Sequence, residues 1–213
     1  MKKLSALLFV SLINLCTYAQ SNVEKAIKSA LTELDSAKTL DDMKAVGAKF
    51  DRISAAEVNE WLPRYYSSYI YCILAFKNQD PADKKSYLDY AQKQLDEAMK
   101  IDPKESEIFT LQGMIYQAII GIDPMNNGQV YSGKAAGAFN TAMRLDPNNP
   151  RPYYLQGLSV MYTPEQYGGG KKAAVGLFTK ANELYASFVP ASDIAPNWGK
   201  EDCARNLAAC QEK

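Results

Sequence analysis

The residues that usually carry chemistry in proteins are few in this chain and poorly grouped. Its 213 residues contain no histidine, so the commonest general base, the commonest metal ligand and the Ser-His and Cys-His nucleophile pairs are all missing. The neighbouring carboxylates Asp41-Asp42 and Asp96-Glu97 are typical of solvated helix faces or helix caps. We therefore predict that the protein is not an enzyme and has no catalytic residues.

Two glycine-containing segments resemble ligand sites in part. Residues 168–172 read Gly-Gly-Gly-Lys-Lys and could present backbone N–H groups and two cations to an anion. A phosphate-binding P-loop needs a different spacing and a preceding strand, so a flexible turn is the simpler interpretation. Residues 123–128 resemble part of a calcium loop, but Met125 and Lys134 stand where oxygen ligands belong. We predict no metal site and no cofactor.

Three cysteines, Cys72, Cys203 and Cys210, follow the first twenty residues. Because their number is odd, at most one disulfide can form among them. If Cys203 and Cys210 share a helix, two turns separate them by about 10 Å of rise, beyond the usual reach of a disulfide. We predict buried thiols.

The N-terminus has the features of a secretory signal peptide. Two lysines precede the apolar run of residues 4–15, which is shorter than the roughly 20 residues of a membrane span. We predict a signal peptide at residues 1–19, cleavage after Ala19, and a periplasmic or secreted protein. Two alternatives are an uncleaved anchor and a lipid-modified Cys16. Residues 20–213 are long enough for one domain.

The charges of the chain are balanced. Lys and Arg together number 24, and so do Asp and Glu. No net field would therefore attract a nucleic acid or an anionic membrane surface. We predict no nucleic-acid partner and no membrane insertion of the mature chain.

The clearest pattern in the chain is an internal repeat with spacings of 44 and then 39 residues. Small residues, a large apolar residue and a proline recur in the same order, which predicts three helical units at about residues 60–103, 104–147 and 148–188. Phe139 and Phe178 should then have equivalent surroundings. The recurring residues are Ala91, Leu95, Ala98 and Pro103, then Ala135, Phe139, Ala142 and Pro147, then Ala174, Phe178 and Ala181.

These units resemble the tetratricopeptide repeat family, whose helix A carries an aromatic residue, a glycine and a tyrosine, and whose helix B carries Ala, Phe, Ala and Pro. The resemblance implies an all-α fold, a right-handed α-α superhelix with flanking N- and C-terminal helices. The second copy fills nearly every position, with Phe109, Gly113, Tyr116, Ala135, Phe139, Ala142 and Pro147.

The period of 44 and 39 residues exceeds the standard period of about 34 residues. We expect the extra residues in long loops between helix A and helix B, at residues 77–82, 121–128 and 163–170. The pairs Asp102-Pro103 and Asp146-Pro147 should end one unit and start the next, with Asp as the cap and Pro in the first turn.

Helices should also flank the repeats. Apolar residues at helical spacing predict a first helix over residues 21–37, and a capping box at residues 39–42 predicts a second helix to about Val58. An extended linker over residues 190–196 should precede a capping helix within about residues 197–212, beginning at Trp198.

The whole chain also resembles exported tetratricopeptide proteins that are common in Bacteroidota. The shared features are Trp-Leu-Pro at residues 61–63, Asn-Pro-Arg at 149–151 and Pro-x-x-Tyr-Gly-Gly-Gly at 164–170. This resemblance implies a periplasmic location. It implies no particular activity and supplies no catalytic residues.

In the tetratricopeptide family helix A of each unit forms the inner, concave wall, so the resemblance implies a groove lined by residues beside the signature positions. We expect an apolar, tyrosine-rich groove that binds a segment of a protein or peptide partner, which makes the protein an interaction scaffold of the cell envelope. The predicted groove residues are Tyr66, Ile70, Ile73, Thr110, Met114, Gln117, Tyr154, Leu158, Met161 and Tyr162.

Two other occupants of the groove remain open. The N-terminal helices or the C-terminal tail of the chain could fill it, since their own apolar faces must be buried somewhere. The groove could instead hold a small apolar molecule or a glycan, as in a carrier. A closed pocket would favour the small ligand, and an open channel would favour a peptide. Because the groove positions include no cluster of Lys, Arg or Asn, we predict no clamp for a peptide carboxylate.

Overall fold

A computed structural model describes residues 22–212 of the chain. These residues form nine α-helices and one short 3-10 turn, with no strand among them, which confirms the predicted all-α class. None of the described helices combines the length and the hydropathy that a membrane crossing requires. The predicted signal peptide lies outside the described residues. The helices are α1 (22–36), α2 (Leu40–Ala56), α3 (Trp61–Lys77), α4 (Pro81–Ile101), α5 (Ser106–Ile120), α6 (Pro124–Leu145), α7 (Arg151–Tyr162), α8 (Lys171–Ser187) and α9 (Lys200–Gln211).

The helices from α3 to α8 pack as three consecutive hairpins. Helix α3 packs on α4, α5 on α6, and α7 on α8, while α3, α5 and α7 also contact one another in order. Helix α2 packs on α3 at one end, and α9 packs on α8 at the other. This is the architecture of a tetratricopeptide-like solenoid, with α3, α5 and α7 along its inner wall.

Each of the last two hairpins is held together by a phenylalanine that packs on a glycine. A Cβ atom added at Gly113 would lie 2.3 Å from Cε1 of Phe139, and one added at Gly157 would lie 2.7 Å from Cε1 of Phe178. Both rings are fully buried. The two phenylalanines therefore have equivalent surroundings, as the spacing of the repeat predicts.

Gly113→Ala is expected to lower the free energy of unfolding by about 1–3 kcal/mol, because the added methyl group would overlap the ring of Phe139. Gly137 provides a matched control, since an added Cβ there meets nothing within 4 Å. Gly137→Ala should stabilise the protein by roughly 0.5–1 kcal/mol through helix propensity alone. Urea denaturation measures both changes. Equal stability of Gly113→Ala and the wild type would contradict the close contact.

The long loops expected at residues 77–82 and 121–128 do not form. Helices α4 and α6 begin almost at once, at Pro81 and Pro124, because each has an aspartate N-cap and a proline in its first turn. The extra residues of the long period lengthen the second helix of the hairpin, to 21 residues in α4 and 22 in α6. Residues 163–170 do form a loop, which contains the 3-10 turn.

Asp102 and Asp146 end helices and do not begin them, contrary to expectation. They are the C-terminal caps of α4 and α6. A side-chain oxygen of Asp102 accepts a hydrogen bond from the backbone N–H of Lys104 at 3.1 Å, and one of Asp146 accepts from that of Asn148 at 2.9 Å. Each aspartate thus forms a local turn, which places the following proline between two helices.

The flanking helices follow the predicted pattern with one change of boundary. The capping box of α2 is present, because the Thr39 hydroxyl accepts from the Asp42 N–H at 3.0 Å and the Asp42 carboxylate accepts from the Thr39 N–H at 2.9 Å. Helix α9 begins at Lys200 and not at Trp198, since Gly199 has a left-handed φ of 97°. Trp198 is therefore free to pack elsewhere.

The three cysteines Cys72, Cys203 and Cys210 are free and buried, as predicted. Burial raises the pKa of the Cys203 thiol to about 11. That shift disfavours the reactive thiolate, so this thiol is expected to react slowly with alkylating reagents while the protein stays folded.

Candidate functional site

The concave side of the solenoid is partly covered by the chain itself. Residues 188–199, here called the crossing segment, leave α8 and contact α1, α3 and α7 before α9 begins. The Tyr66 hydroxyl donates to the carbonyl oxygen of Ile194 at 2.7 Å, and Lys28 pairs with Asp193 at 2.6 Å. The crossing segment thus links the last repeat to the N-terminal helix.

Trp198 anchors the end of the crossing segment. Its indole N–H donates to the Tyr65 hydroxyl at 2.9 Å, and its ring stacks on Tyr69 with 5.2 Å between centroids. Its carbonyl oxygen accepts from the Tyr185 hydroxyl at 3.0 Å. Three tyrosines from two helices therefore hold one tryptophan.

Beneath the crossing segment lies a buried polar group, here called the Arg151 cluster, made of Tyr65, Glu107, Asn149 and Arg151. One carboxylate oxygen of Glu107 accepts from Arg151 Nη1 at 2.9 Å and from Asn149 Nδ2 at 2.7 Å. The other accepts from the Tyr65 hydroxyl at 3.2 Å. The Arg151 side chain is fully buried, and where Glu107 is ionised its carboxylate balances the arginine charge.

Arg151 also holds both ends of the crossing segment. Its Nη2 donates to the carbonyl oxygen of Pro196. Its guanidinium lies 4.6 Å from the centroid of Phe188 and 5.5 Å from that of Trp198, distances at which a cation is attracted to an aromatic face. One side chain therefore joins the repeat core to the segment that covers it.

Burial raises the pKa of Glu107 to about 7, against the opposing effects of Arg151, Tyr65 and Asn149. The ordinary value is 4.5, so between these pH values the folded protein holds a proton that the unfolded chain releases. The contribution of Glu107 to the free energy of unfolding is therefore present in full below about pH 4.5, and is lost as the pH rises through about 7.

We expect the wild-type protein to be less stable at about pH 8 than at about pH 5 for this reason. The chain has no histidine, so no imidazole titration overlaps this range. Urea denaturation at both pH values measures the effect, and Glu107→Gln should remove the difference. A wild-type stability that rises between the two pH values would contradict the prediction.

The structure divides the ten predicted groove residues into a covered set and an open set. Five are buried and could meet a partner only if neighbouring segments moved, while four are partly exposed and Tyr162 is 77% exposed. The buried residues are Tyr66, Ile70, Thr110, Met114 and Tyr154. The residues that reach the surface are Ile73, Gln117, Leu158, Met161 and Tyr162.

The buried residues are covered by the chain's own elements. Tyr66 stacks on Phe50 of α2 and binds the crossing segment. Tyr154 packs against Phe178, and it lies 3.4 Å from the position of a Cβ added at Gly199. Flanking parts of the chain therefore fill this half of the groove, which is one of the alternatives that the sequence left open.

The five residues that reach the surface all lie near the C-terminal ends of α3, α5 and α7, and we call this region the open end of the groove. Gln117 Nε2 donates to the carbonyl oxygen of Leu155 at 2.6 Å and to the Ser159 hydroxyl at 2.7 Å, which fixes α7 against α5. Leu158 and Tyr162 are four residues apart in α7 and share one face. The open end therefore combines the partly exposed apolar side chains of Ile73, Leu158 and Met161 with the exposed ring of Tyr162.

The glycine-rich loop after α7 holds the end of that helix in place. The Gly170 N–H donates to the carbonyl oxygen of Val160 at 2.9 Å, and Gly168 and Gly170 have left-handed φ angles of 81° and 96°. A Cβ added at Gly169 would lie 2.1 Å from the carbonyl oxygen of Thr163. The glycines therefore allow a tight return that ends α7 directly after Tyr162.

The described structure also contains two depressions outside the predicted groove. Two open depressions of about 360 and 320 Å³ lie between α1 and α2, away from the predicted groove. Among residues 22–212 no three or more carboxylate or cysteine side chains are grouped as metal ligands. The open end is therefore the surface that we take forward as the candidate site.

Sequence reasoning missed the Arg151 cluster and Trp198. Glu107 and Arg151 are 44 residues apart, which equals the period of the repeat, so they occupy equivalent positions in adjacent units. That equality was a usable signal, because equivalent positions of stacked repeats lie next to one another. No comparable pattern points to Trp198.

Comparison with known structures identifies the wider family. The HusA haemophore from Porphyromonas gingivalis is 30% identical in sequence, with a TM-score of 0.80, and the match covers 88% of this chain and 92% of HusA. This chain belongs to the same family as HusA.

A second structure supports the fold alone. A thermophilic tetratricopeptide protein from Thermus thermophilus is 15% identical, with a TM-score of 0.56, and the match covers 93% of this chain and 95% of that protein. No family model matches the sequence, and no curated protein matches it either.

Proposed function

We propose that this protein is a non-enzymatic carrier that binds haem, or a tetrapyrrole of the same shape, at the open end of its groove. The observation that carries the proposal is the 30% identity to a haemophore over 92% of that protein's length. The sequence alone favoured a protein partner and kept a small-molecule carrier as the alternative. Kinship with HusA makes the carrier the better supported of the two.

The residues of the open end fit such a ligand. A porphyrin presents two flat apolar faces, which Ile73, Leu158 and Met161 can contact, and an aromatic side chain at the rim can stack on its edge. Its propionate groups are anionic and need nearby cations. Lys171 and Lys172 begin α8 directly after the glycine-rich loop, and both are exposed.

The proposal includes export from the cytoplasm, on the basis of the predicted signal peptide at residues 1–19. A carrier that captures a ligand outside the cytoplasm needs no catalytic group, which agrees with the expectation that the protein is not an enzyme. Its binding surface must stay open to solvent, because the cargo has to enter and leave.

The test is a titration of the purified protein with ferric haem and, separately, with iron-free protoporphyrin IX. Binding should shift the Soret absorption and quench the fluorescence of the two tryptophans, Trp61 and Trp198. Leu158→Glu should weaken both affinities by roughly tenfold or more, because the new carboxylate would lose its water against the porphyrin face. Val58→Glu is the control, at a residue that is 59% exposed in the turn between α2 and α3.

Two results would contradict the proposal. One is a wild-type protein that changes neither spectrum at saturating porphyrin while circular dichroism shows it to be helical. The other is equal binding by Leu158→Glu and Val58→Glu, which would place the ligand away from the open end.

A protein partner is the second candidate, because the side chains of the open end are partly or largely exposed to solvent. A peptide segment could lie along the same apolar residues. Affinity purification from a periplasmic extract, with the wild type beside Leu158→Glu, tests this possibility. A partner that is retained equally by both proteins would not bind at the open end.

A further inference from the structure

The crossing segment has little structure of its own. Within residues 188–199 the only backbone–backbone hydrogen bond runs from the Ala195 N–H to the carbonyl oxygen of Ser192. Side chains of other helices hold the segment by donating to the carbonyl oxygen of every second residue near its end. A segment with so few backbone hydrogen bonds can open while the helices around it stay folded. The donor and acceptor pairs are Tyr66 and Ile194, Arg151 and Pro196, and Tyr185 and Trp198.

Each carboxylate oxygen of Glu107 is joined to the crossing segment through one intervening side chain. Arg151 donates both to one oxygen of Glu107, at 2.9 Å, and to the carbonyl oxygen of Pro196. The Tyr65 hydroxyl donates to the other oxygen at 3.2 Å and accepts from the indole N–H of Trp198 at 2.9 Å. The two residues that fasten the end of the segment are therefore both coupled to one buried carboxyl group.

The titratable and charged side chains that face Glu107 come from α3, α5, α7 and α8. Arg151 supplies a positive charge, which a guanidinium keeps between about pH 5 and pH 8. Glu105, at the N-cap of α5, is a second carboxyl group whose pKa burial raises, but among the described residues it hydrogen-bonds to neither Arg151 nor Tyr65. Glu107 is therefore the titrating group that is coupled to the segment. The remaining groups are the hydroxyls of Tyr65, Tyr66 and Tyr185, whose pKa values burial raises further above 10.

We propose that the crossing segment is a pH-sensitive cover over the groove, which opens more often as the pH rises from about 5 to about 8 because opening lets water reach the Glu107 carboxylate. Opening would uncover Tyr66 and Tyr154, so the pH would set how much of the groove a partner can meet. The inference goes beyond the proposed function, since it does not depend on what the groove binds.

Proton linkage fixes the direction of the effect. In the closed form burial raises the pKa of Glu107 to about 7, and in a hydrated open form the pKa returns toward 4.5. Opening therefore releases a proton from Glu107 to solvent between these two pH values. The open fraction should rise over this range and level off above it.

Native-state proteolysis with thermolysin, which cuts before large apolar residues such as Ile194, measures the opening. The cutting rate between Asp193 and Ile194, divided by the rate for a synthetic peptide of residues 188–199 at the same pH, reports the open fraction. From about pH 5.5 to pH 8 this fraction should rise severalfold, and by about 30-fold if opening hydrates Glu107 completely. Glu107→Gln should remove the rise, because an amide does not titrate. Glu105→Gln is the matched control and should keep most of it.

Urea separates opening of the segment from unfolding of the whole molecule. Opening a short segment exposes little surface, so the cutting rate should depend only weakly on urea below the unfolding transition. A urea dependence as steep as that of global unfolding would overturn the proposal. So would an open fraction that is constant or falls from about pH 5.5 to pH 8, or an equal rise in the wild type and Glu107→Gln. If circular dichroism shows that Glu107→Gln is not helical, the wild-type pH and urea data decide the question by themselves.

Discussion

Arg151→Met is expected to lower the free energy of unfolding by about 3–5 kcal/mol at a pH near 8. The substitution keeps most of the aliphatic stem but removes the cation that compensates Glu107, whose carboxylate then stays buried without a counter-charge. It also removes the contacts to Phe188, Pro196 and Trp198. At about pH 5 Glu107 is protonated, so the loss should be smaller there. Urea denaturation at both pH values measures it.

An exposed arginine and a double variant serve as controls. Arg144→Met removes a surface guanidinium whose only side-chain hydrogen bond among residues 22–212 is to the Thr141 hydroxyl, and it should change stability by less than about 0.5 kcal/mol. Glu107→Met combined with Arg151→Met should recover most of the loss, because no unpaired charge remains. If Arg151→Met were no less stable than Arg144→Met, the Arg151 cluster would not hold the fold together.

Trp198→Ala is expected to cost about 3 kcal/mol, as is usual when a large aromatic side chain loses its packing and a hydrogen bond. Because the lost contacts all join the crossing segment to the repeats, the cost should fall on that segment. An opening equilibrium shifted by this amount exposes residues 188–199 on the order of 100-fold more often. Limited proteolysis with mass-spectrometric mapping of the cut sites measures the change.

Trp61→Ala is the matched control for this substitution. Trp61 packs its edge on Tyr65, with 5.7 Å between centroids, and within residues 22–212 its ring neither stacks on nor hydrogen-bonds to the crossing segment. We expect lower stability in this variant with no faster cutting in residues 188–199. Similar cleavage of the two variants would mean that global unfolding, and not release of the segment, exposes the cut sites.

The repeat could be predicted because contacts between neighbouring units depend on residues at fixed spacing. Phe139 and Phe178 recur at the period and both pack on a glycine. The capping box at Thr39 and Asp42 is likewise a contact within four residues of sequence. Such interactions are visible in a single sequence, since both partners lie in one short window or one repeat apart.

The boundaries of the second helices were harder to predict because one dipeptide has two roles. Asp-Pro begins α4 and α6 at Asp80 and Asp123, yet it follows the ends of these helices at Asp102 and Asp146. In both settings the aspartate accepts a hydrogen bond from a backbone N–H two or three residues later. The local chemistry is the same, so only packing on the neighbouring helix decides whether the chain continues as helix.

The sequence offered coverage of the groove by the chain's own flanking parts as one alternative, but the contacts that cover half of it could not be predicted, because their partners come from far along the chain. Tyr66 and Ile194 are 128 residues apart, and the residues around Ile194 have no periodic pattern. Their proline content indicates only that this stretch is not helical. The open end could be predicted, because the repeat places Leu158 and Tyr162 on the inner helix and helical spacing places both on one face.

The crossing segment joins the last hairpin to the first, for example where Tyr66 binds Ile194, 128 residues away, and this changes how the array should come apart. Stacked hairpins ordinarily touch only their neighbours, so the outermost units fray first and partly folded forms accumulate. Here the crossing segment, which follows the last hairpin, also contacts the first hairpin at α3. Neither end of the array is free to peel away, so the molecule should melt in a single concerted step, and it should fold slowly for its helical content because distant parts must meet early.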